Sequence, residues 1–522
     1  MSKLLQIEDL TVTYRSRNGA LHRAIEGVSF ALEPGQALGI LGESGSGKTT
    51  TALSILRLLP AEVAHTRGAI FFGGKNVLTL EERAMHKRRG AEISMIFQEP
   101  AVAFNPVRRV GDQIAEIVRV HRHWNWKRCR AAAEEMLAAV GLHQVARIYR
   151  GFPHQLSGGQ LQRVAIAQAL VCRPQMVIAD EPTASLDAVS RAGILQLLRD
   201  LKEQMGIAFL VISHQPAVLA ALADRILVIH EGRVVEAGAS EQILSRPRHL
   251  YTQTLLECGQ IPSQEMRTDM YGSTAARTLV RQSDSRTSAL ISLHDLKKCY
   301  SQRRGLLERP ARIPALRGIN LEIHRGATLA LRGESGSGKS TLGKCLAGLE
   351  NFDSGEIRAD GRSIAGLSRK DRLAFFRHVQ LVFQDSASAL NPNLSASEII
   401  SEPLLIQRVA TARERHDRAL ALMEQVGLSA AWASRRPLEF SGGQRQRLAI
   451  ARALVVQPKL LIFDESFSGL DLLTQKQIVR LLQELQSRHG LTYLYITHDL
   501  SLAARWADSF AMMSQGEIVE QG

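Results

Sequence analysis

The chain has 522 residues, enough for roughly two to four domains that each bury a core, and its 45% apolar and 22% charged residues are ordinary proportions for a soluble globular protein. No apolar run approaches the roughly 18 residues of a spanning helix, and the N-terminal MSKLLQIEDL lacks the apolar stretch and cleavage site of a secretory signal, so a cytoplasmic protein is expected, free or at a membrane surface. A net charge of +14 admits nucleic acid, anionic lipid or a nucleotide as partner, or only a solvated basic face, while 5% aromatics with no aromatic–basic interleaving gives no stacking platform for single strands.

Residues 5–14 and 28–32 are the first strand candidates. Ala37–Leu41 is a short apolar strand that runs directly into Gly42, Glu43, Ser44, Gly45, Ser46, Gly47, Lys48 and Thr49, and residues 49–59 follow with a helical pattern. Strand, G-x-x-x-x-G-K-[ST] loop and helix in that order is the context of a phosphate-binding loop. Its glycines let backbone N–H groups turn toward phosphate oxygens, and the helix N-terminus adds a favourable field for an anion. Lys48 is then expected on the β- and γ-phosphates and the Thr49 hydroxyl on Mg2+. A glycine-rich structural turn is the plain alternative.

Gln98 follows the apolar pair Ile96-Phe97; a carboxamide there suits water or the metal's shell. Residues 111–145 carry apolar positions at helical spacing among charges and predict a small helical subdomain. Beyond Ser157, Gly158, Gly159 and Gln160, the apolar stretch 176–179 predicts a strand buried on both faces. It ends on Asp180, suited to coordinate the metal directly or through water, and Glu181, suited to take a proton from attacking water. The strand 209–212 leads to His214, placed to contact a γ-phosphate. An isolated glutamine or histidine of this kind is more often ordinary core or surface.

Residues 261–289 are polar, aperiodic and rich in Ser, Thr and Arg, a linker between domains at 1–260 and 290–522. Beyond it the pattern returns. Strands are predicted at 293–300, 319–323 and 328–331, with Pro310 and Pro314 interrupting an exposed insertion. The loop recurs 291 residues later as Gly333, Glu334, Ser335, Gly336, Ser337, Gly338, Lys339 and Ser340, ahead of a helix at 340–349. Gln384 and a helical stretch at 396–430 follow. Ser441, Gly442, Gly443 and Gln444, then Asp464 and Glu465 after the strand 460–463, and His498 after the strand 493–496, each recur 284 residues after their first copies. Landmarks repeated in order point to a tandem duplication and lift Gln98, Gln384, His214 and His498 above the ordinary case. The five cysteines are scattered, so neither a disulfide scaffold nor a structural zinc site is expected; Cys172 and Cys345 sit in apolar helical patterns and are expected to be buried.

This ordered set resembles a tandem member of the ATP-binding cassette (ABC) ATPases over nearly the whole chain. Leu156–Gln160, written Leu-Ser-Gly-Gly-Gln, matches the family signature, and Phe440 replaces the leucine in the second copy. The resemblance assigns Gln98 and Gln384 to the glutamine loop, Asp187 and Asp471 to the acidic loop and His214 and His498 to the switch histidine. It places Tyr14 and Tyr300 where an aromatic stacks on adenine, although either tyrosine could simply end a strand. It implies an α/β fold, a P-loop NTPase with two ABC-type nucleotide-binding domains in tandem, each with a helical subdomain, and ATP and Mg2+ as cofactors. It further implies that the two cassettes pair head to tail within one chain, one ATP between the Lys48 loop and Ser441, the other between the Lys339 loop and Ser157. The second copy departs mildly, with Ser466 where the first has Pro182 and Asp499 where the first has Gln215, which leaves equal turnover of the two sites open.

Phe97-Gln98-Glu99-Pro100 with Phe104-Asn105-Pro106, Phe383-Gln384-Asp385-Ser386 with Leu390-Asn391-Pro392, and Arg248-His249-Leu250-Tyr251-Thr252 resemble the oligopeptide, dipeptide and nickel importer branch. That branch implies two transmembrane permease subunits, an indirect extracytoplasmic solute-binding protein, no nucleic acid, and a peripheral position on the cytoplasmic face of the inner membrane. Di- or oligopeptides are the expected cargo, with nickel or another small solute open. Only Cys258 lies where some members carry a cysteine cluster, so no iron–sulfur centre is expected, and the second copy lacks the tail that carries Tyr251 in the first. A soluble ribosome-bound tandem cassette is the main rival, but it would join its halves by a long charged helix. A DNA-repair ATPase would bring zinc cysteines or a long coiled coil, and an ATP-binding scaffold would lack Glu181 and Glu465.

Overall fold

A computed structural model describes residues 3–15, 21–60, 62–184, 186–259, 289–302, 311–334, 336–364, 368–383, 386–467, 469–497, 503 and 506–522. The chain divides into two compact units, the first running to Gly259. No helix among the described residues is long and apolar enough to cross a membrane.

In the first unit, Leu21–Leu32, Leu5–Arg15, Ala64–Phe72 and Lys75–Asn76 form an antiparallel sheet in that order. Leu5 and Ile7 face the core, then Leu10 and Val12 do, so the alternation slips by one residue between them. The slip is a bulge at Asp9, whose φ is 49°. Gly68 faces this bulge: a Cβ there would lie 2.4 Å from the Asp9 carbonyl oxygen. The second unit repeats the device. Ile291 and Leu293 give way to Leu296 across Asp295 at φ 47°, and a Cβ on Gly355 would lie 2.4 Å from the Asp295 carbonyl oxygen.

A six-stranded sheet carries the rest of the first unit. Its order is Arg233–Ala239, Arg225–His230, Ala37–Leu41, Ala208–Ser213, Met176–Asp180 and Ile93–Ile96. All neighbours pair parallel except the first two. Every residue of Ala37–Leu41, Met176–Asp180 and Ala208–Ser213 is buried, as apolar strands covered on both faces require. These three strands lie side by side, so their C-terminal ends bring Gly42, His214 and Asp180 to one edge. Helices Val110–Arg122, Trp126–Ala139 and Val145–Arg150 form the predicted helical subdomain and share a core with Gly158–Leu170.

The second unit repeats this order with Glu517–Gln521, Ser509–Ser514, Thr328–Gly333, Thr492–Ile496, Leu460–Asp464 and Val379–Val382. The helices Ala396–Gln407 and Ala412–Gln425 fill the stretch predicted to be helical. Pro314 does not interrupt an insertion: it lies within the strand Ala311–His324, opposite Cys299. That strand is at the sheet edge, where the missing N–H costs no ladder bond on the open side, and the register shifts beside it. Pro310 lies outside the described residues. The strands Leu21–Leu32 and Ala311–His324 begin well before the predicted 28–32 and 319–323, because their outer ends, such as His22-Arg23, are exposed and polar and carry no apolar signal.

The two cores differ in one place. Phe463, Phe467, Tyr493 and Tyr495 surround Trp506 at ring-centroid distances of 5.7, 5.9, 5.5 and 5.0 Å. The residues 284 positions earlier are Ala179, Thr183, Phe209, Val211 and Leu222. Cys172 and Cys345 are buried, as expected, and burial lifts the Cys345 thiol from 9.0 to about 11. The unfolded chain therefore releases this proton first. Stability is expected to fall by on the order of 2 kcal/mol as pH rises from about 9 through about 11. Unfolding midpoints for the wild type and Cys345→Ala should converge over that range; parallel profiles would show that burial does not hold the thiol.

Candidate nucleotide site

The loop from Gly42 to Gly47 is tightly walled. A Cβ on Gly42 would lie 2.4 Å from the Ile229 carbonyl oxygen, and one on Gly47, at φ 103°, would lie 2.6 Å from that of Ala24. Only glycine fits both constraints at Gly47, where the chain takes a left-handed turn into the helix Lys48–Ile55. No side chain caps that helix or its counterpart Lys339–Leu346, which starts after Gly338 at φ 105°. The first-turn N–H groups are thus left for an incoming acceptor. Both helices start one residue before the predicted position and end at Ile55 and Leu346, short of the predicted 59 and 349.

Lys48 is buried, and its Nζ donates to the carbonyl oxygens of Gly42 at 2.8 Å and Glu43 at 2.5 Å. Burial pulls its pKa down, against the raising effect of Glu181 and Asp180 nearby. Lys339 does the same with Gly333 at 2.9 Å and Glu334 at 2.7 Å. The Thr49 hydroxyl donates to Asp180 Oδ2 at 3.0 Å, and that of Ser340 to Asp464 Oδ1 at 3.0 Å. Asp180 Oδ1 and Ser46 Oγ are buried with no hydrogen-bond partner. Burial pushes Asp180 up to about 6, with the charge of Glu181 adding to the rise, and burial raises Asp464 likewise. Two oxygen donors on a carboxylate–hydroxyl pair, one lone pair unused, fit a hard divalent cation. Uncapped N–H groups beside a buried ammonium fit the phosphates of a nucleotide.

Glu181 and His214 were expected to act at separate points, on water and on a γ-phosphate. The structure joins them. His214 Nδ1 lies 2.6 Å from Glu181 Oε1, the His214 backbone N–H donates to the same oxygen at 2.8 Å, and the Ser213 hydroxyl donates to Oε2 at 3.1 Å. Burial works to raise the Glu181 pKa, but the His214 hydrogen bond and charge outweigh it and hold the carboxylate below its ordinary value. Glu181 takes a left-handed φ of 47° and Glu465 one of 45°, each with its N–H on the neighbouring strand, at Ile212 and Ile496. Ser213 was not singled out in the sequence; a polar residue closing an otherwise apolar strand was its only signal.

Other predicted residues are placed less centrally. Gln98 is exposed, in the bend after the edge strand Ile93–Ile96. Tyr14 is half-buried in Leu5–Arg15, and Tyr300 is exposed with the Lys298 ammonium 5.3 Å from its ring centroid. Ser157 and Gln160 cap each other: the Ser157 Oγ accepts the Gln160 N–H at 3.3 Å while Gln160 Oε1 accepts the Ser157 N–H at 3.2 Å. Ser441 and Gln444 form the same box at 3.3 and 3.0 Å. Gly158 and Gly159, and Gly442 and Gly443, open the helices behind these caps. Asp187 caps the helix Ala188–Met205 by accepting from the Ser190 N–H and hydroxyl, both at 2.9 Å. Gly45 and Gly336 turn with positive φ, Ser44 and Ser337 lie within the loops, and Ser335, Gln384 and His498 lie outside the described residues.

A model of the ABC transporter family matches residues 25–184 and 316–468, spans that contain both loops and both acidic strand ends. The chain belongs to the ABC transporter family. It is 42% identical over 522 residues to Peptidoglycan transport ATP-binding protein YejF of Agrobacterium fabrum, spanning 99% of this chain and 92% of that protein. It is 40% identical to Uncharacterized ABC transporter ATP-binding protein YejF of Escherichia coli, across 99% and 95% of the two chains. It is 39% identical to Glutathione import ATP-binding protein GsiA of Pectobacterium atrosepticum, across 100% and 86%. The ABC protein described here is thus an ATPase, the ATP-binding and hydrolysing component of a transporter, with duplicated nucleotide-binding domains and ATP and Mg2+ as its cofactors.

Proposed function

We propose that this ABC ATPase powers the import of di- or oligopeptides from the cytoplasmic face of the inner membrane, with two permease subunits and an extracytoplasmic binding protein. Relatives named for peptidoglycan transport and for import of glutathione, itself a tripeptide, support that cargo class. The observation that carries the catalytic part is the pair of equivalent loops, Lys48–Thr49–Asp180 and Lys339–Ser340–Asp464, in each of which the lysine bonds the first two loop carbonyls and the hydroxyl meets the carboxylate at 3.0 Å. The cassettes are 1–260 and 290–522, joined by 261–289, and each loop meets the other cassette's signature, Ser157 or Ser441, when ATP is bound.

In this reading Lys48 and Lys339 hold the β- and γ-phosphates, and the uncapped helix N-termini draw the remaining charge. Thr49, Asp180 and Gln98, with Ser340, Asp464 and Gln384, hold Mg2+. When bound, that ion neutralises charge on the phosphates. Glu181 and Glu465 accept the proton of the attacking water, and His214 and His498 sense the γ-phosphate. Glu181 is bonded to His214 in this structure, so productive closure requires His214 to exchange the carboxylate for phosphate. Tyr14 and Tyr300 stack on adenine.

Each unit also carries a groove beside its edge strand. Leu58, Met95, Phe97 and Ile117 line the first; Leu349, Leu381, Phe383 and Ile406 line the second, which adds the Arg452–Glu402 ion pair at 3.0 Å. Leu58, Phe97, Leu349, Phe383 and Ile406 are exposed apolar side chains, suited to receive a cytoplasmic helix of each permease. Affinity purification from gently solubilised membranes tests this. Two multi-spanning subunits should co-purify; recovery of ribosomes without them would overturn the importer assignment.

A further inference from the structure

The helix Leu250–Gly259 follows the first cassette's final hairpin and is anchored by Leu255 and Leu256, both buried in the core. Its start is fixed by Glu236, which accepts the backbone N–H groups of Arg248 at 2.8 Å and His249 at 3.1 Å. This aims Tyr251 at the phosphate loop. The Tyr251 ring stacks on His230 with centroids 3.8 Å apart, and its hydroxyl oxygen accepts the Glu43 backbone N–H at 3.1 Å. Burial raises the Glu43 carboxyl, and a hydrogen bond with the Tyr251 side chain opposes that rise. The hairpin holds the loop from its other end, where the Gly232 N–H donates to the Ser46 carbonyl oxygen at 3.1 Å.

The second loop has the hairpin contact but not the same ring. Gly516 donates to the Ser337 carbonyl oxygen at 3.0 Å, yet the residue 284 positions after His230 is Ser514. The position beside the second loop that matches His230 therefore carries no stacking imidazole.

We propose that Tyr251, held by His230 and Glu236, is a positioning residue for the first nucleotide loop, and that it strengthens ATP binding at the Lys48 site. The inference rests on the reading of the Lys48 loop as an ATP site. A loop whose carbonyls and N–H groups are already fixed loses less freedom when phosphate binds, so the brace acts on binding. Tyr251 touches the loop and not the reacting atoms.

The test is equilibrium binding of MgATP to the full-length chain with one loop disabled at a time. In the Lys339→Ala background only the Lys48 site reports. There Tyr251→Phe, which keeps the stack and loses the hydroxyl, is expected to weaken ATP binding roughly three- to ten-fold. Tyr251→Ala is expected to weaken it further. In the Lys48→Ala background both substitutions should leave affinity unchanged, a split that general loss of structure would not produce, and melting curves of the Phe variant should match the wild type. Equal affinity of the wild type and Tyr251→Phe at the Lys48 site, or equal weakening at both sites, would overturn the brace alone. Failure of the Lys339→Ala protein to bind any ATP would overturn the Lys48 site itself, and the brace with it.

Discussion

Glu181→Gln and Glu465→Gln are each expected to lower ATP turnover by about two orders of magnitude while leaving ATP bound. The first half of that expectation comes from proton transfer, since a carboxamide cannot accept the proton of the attacking water. The second comes from the neighbouring carboxylate. Burial is the main reason Asp180 is pushed up to about 6, and the negative charge of Glu181 adds to it. Removing that charge favours ionised Asp180, the form that holds a cation, so affinity for MgATP should be kept or strengthened. The substitution also disturbs the dyad, because an amide nitrogen facing the His214 N–H would meet a donor where the carboxylate offered an acceptor. Single-turnover hydrolysis and nucleotide retention measured on each variant check the two halves separately. If one variant hydrolyses at the wild-type rate, its site is regulatory and the symmetric account is wrong.

Phe463→Ala is expected to destabilise the second cassette by about 3–5 kcal/mol, the usual cost of deleting a buried aromatic. Phe463 is fully buried and touches Phe467, Tyr493 and Trp506 at centroid distances of 5.4, 5.6 and 5.7 Å. The first cassette tolerates Ala179 at the equivalent position because its neighbours there are Thr183, Phe209, Val211 and Leu222. The second surrounds the site with rings that cannot collapse onto an alanine, so a cavity remains. The strand Leu460–Asp464 also ends on the proposed metal ligand, and loss of packing beneath it should loosen the Ser340–Asp464 contact. Calorimetry of the intact chain should show one transition moving down and the other staying. A shift of both, or of neither, would contradict the claim that this cluster belongs to the second core alone.

Much of the catalytic end was legible before any coordinates. Glycine spacing, a lysine and a hydroxyl after a short apolar strand define the phosphate loop, because few other residue orders satisfy a left-handed turn and an anion together. Likewise the all-apolar 176–179 and 460–463 suit strands covered on both faces, and the sheet order then sets the acidic residues that end them at the same edge as the loop. The contacts that depend on where separate segments meet were not legible. Neither Glu181–His214 nor Tyr251–Glu43 has a sequence spacing that signals a bond, since the residues are 33 and 208 positions apart. Pro314 misled because proline argues against a strand in general, while an edge strand accepts it. Gln160 and Gln444 belong to the signature stretches that the resemblance sets against nucleotide, and their carboxamides close capping boxes, a local role visible in the Ser-x-x-Gln spacing itself.

The most direct measurement is ATP hydrolysis by this chain, reconstituted in lipid vesicles with its co-purified membrane subunits, as a function of added binding protein loaded with a di- or oligopeptide. The account predicts that hydrolysis rises with the loaded binding protein, that peptide accumulates in the compartment facing the ATPase, and that the Glu181→Gln/Glu465→Gln double variant loses both. Hydrolysis that ignores binding protein and permease, or that responds to nickel and not to peptide, would contradict it.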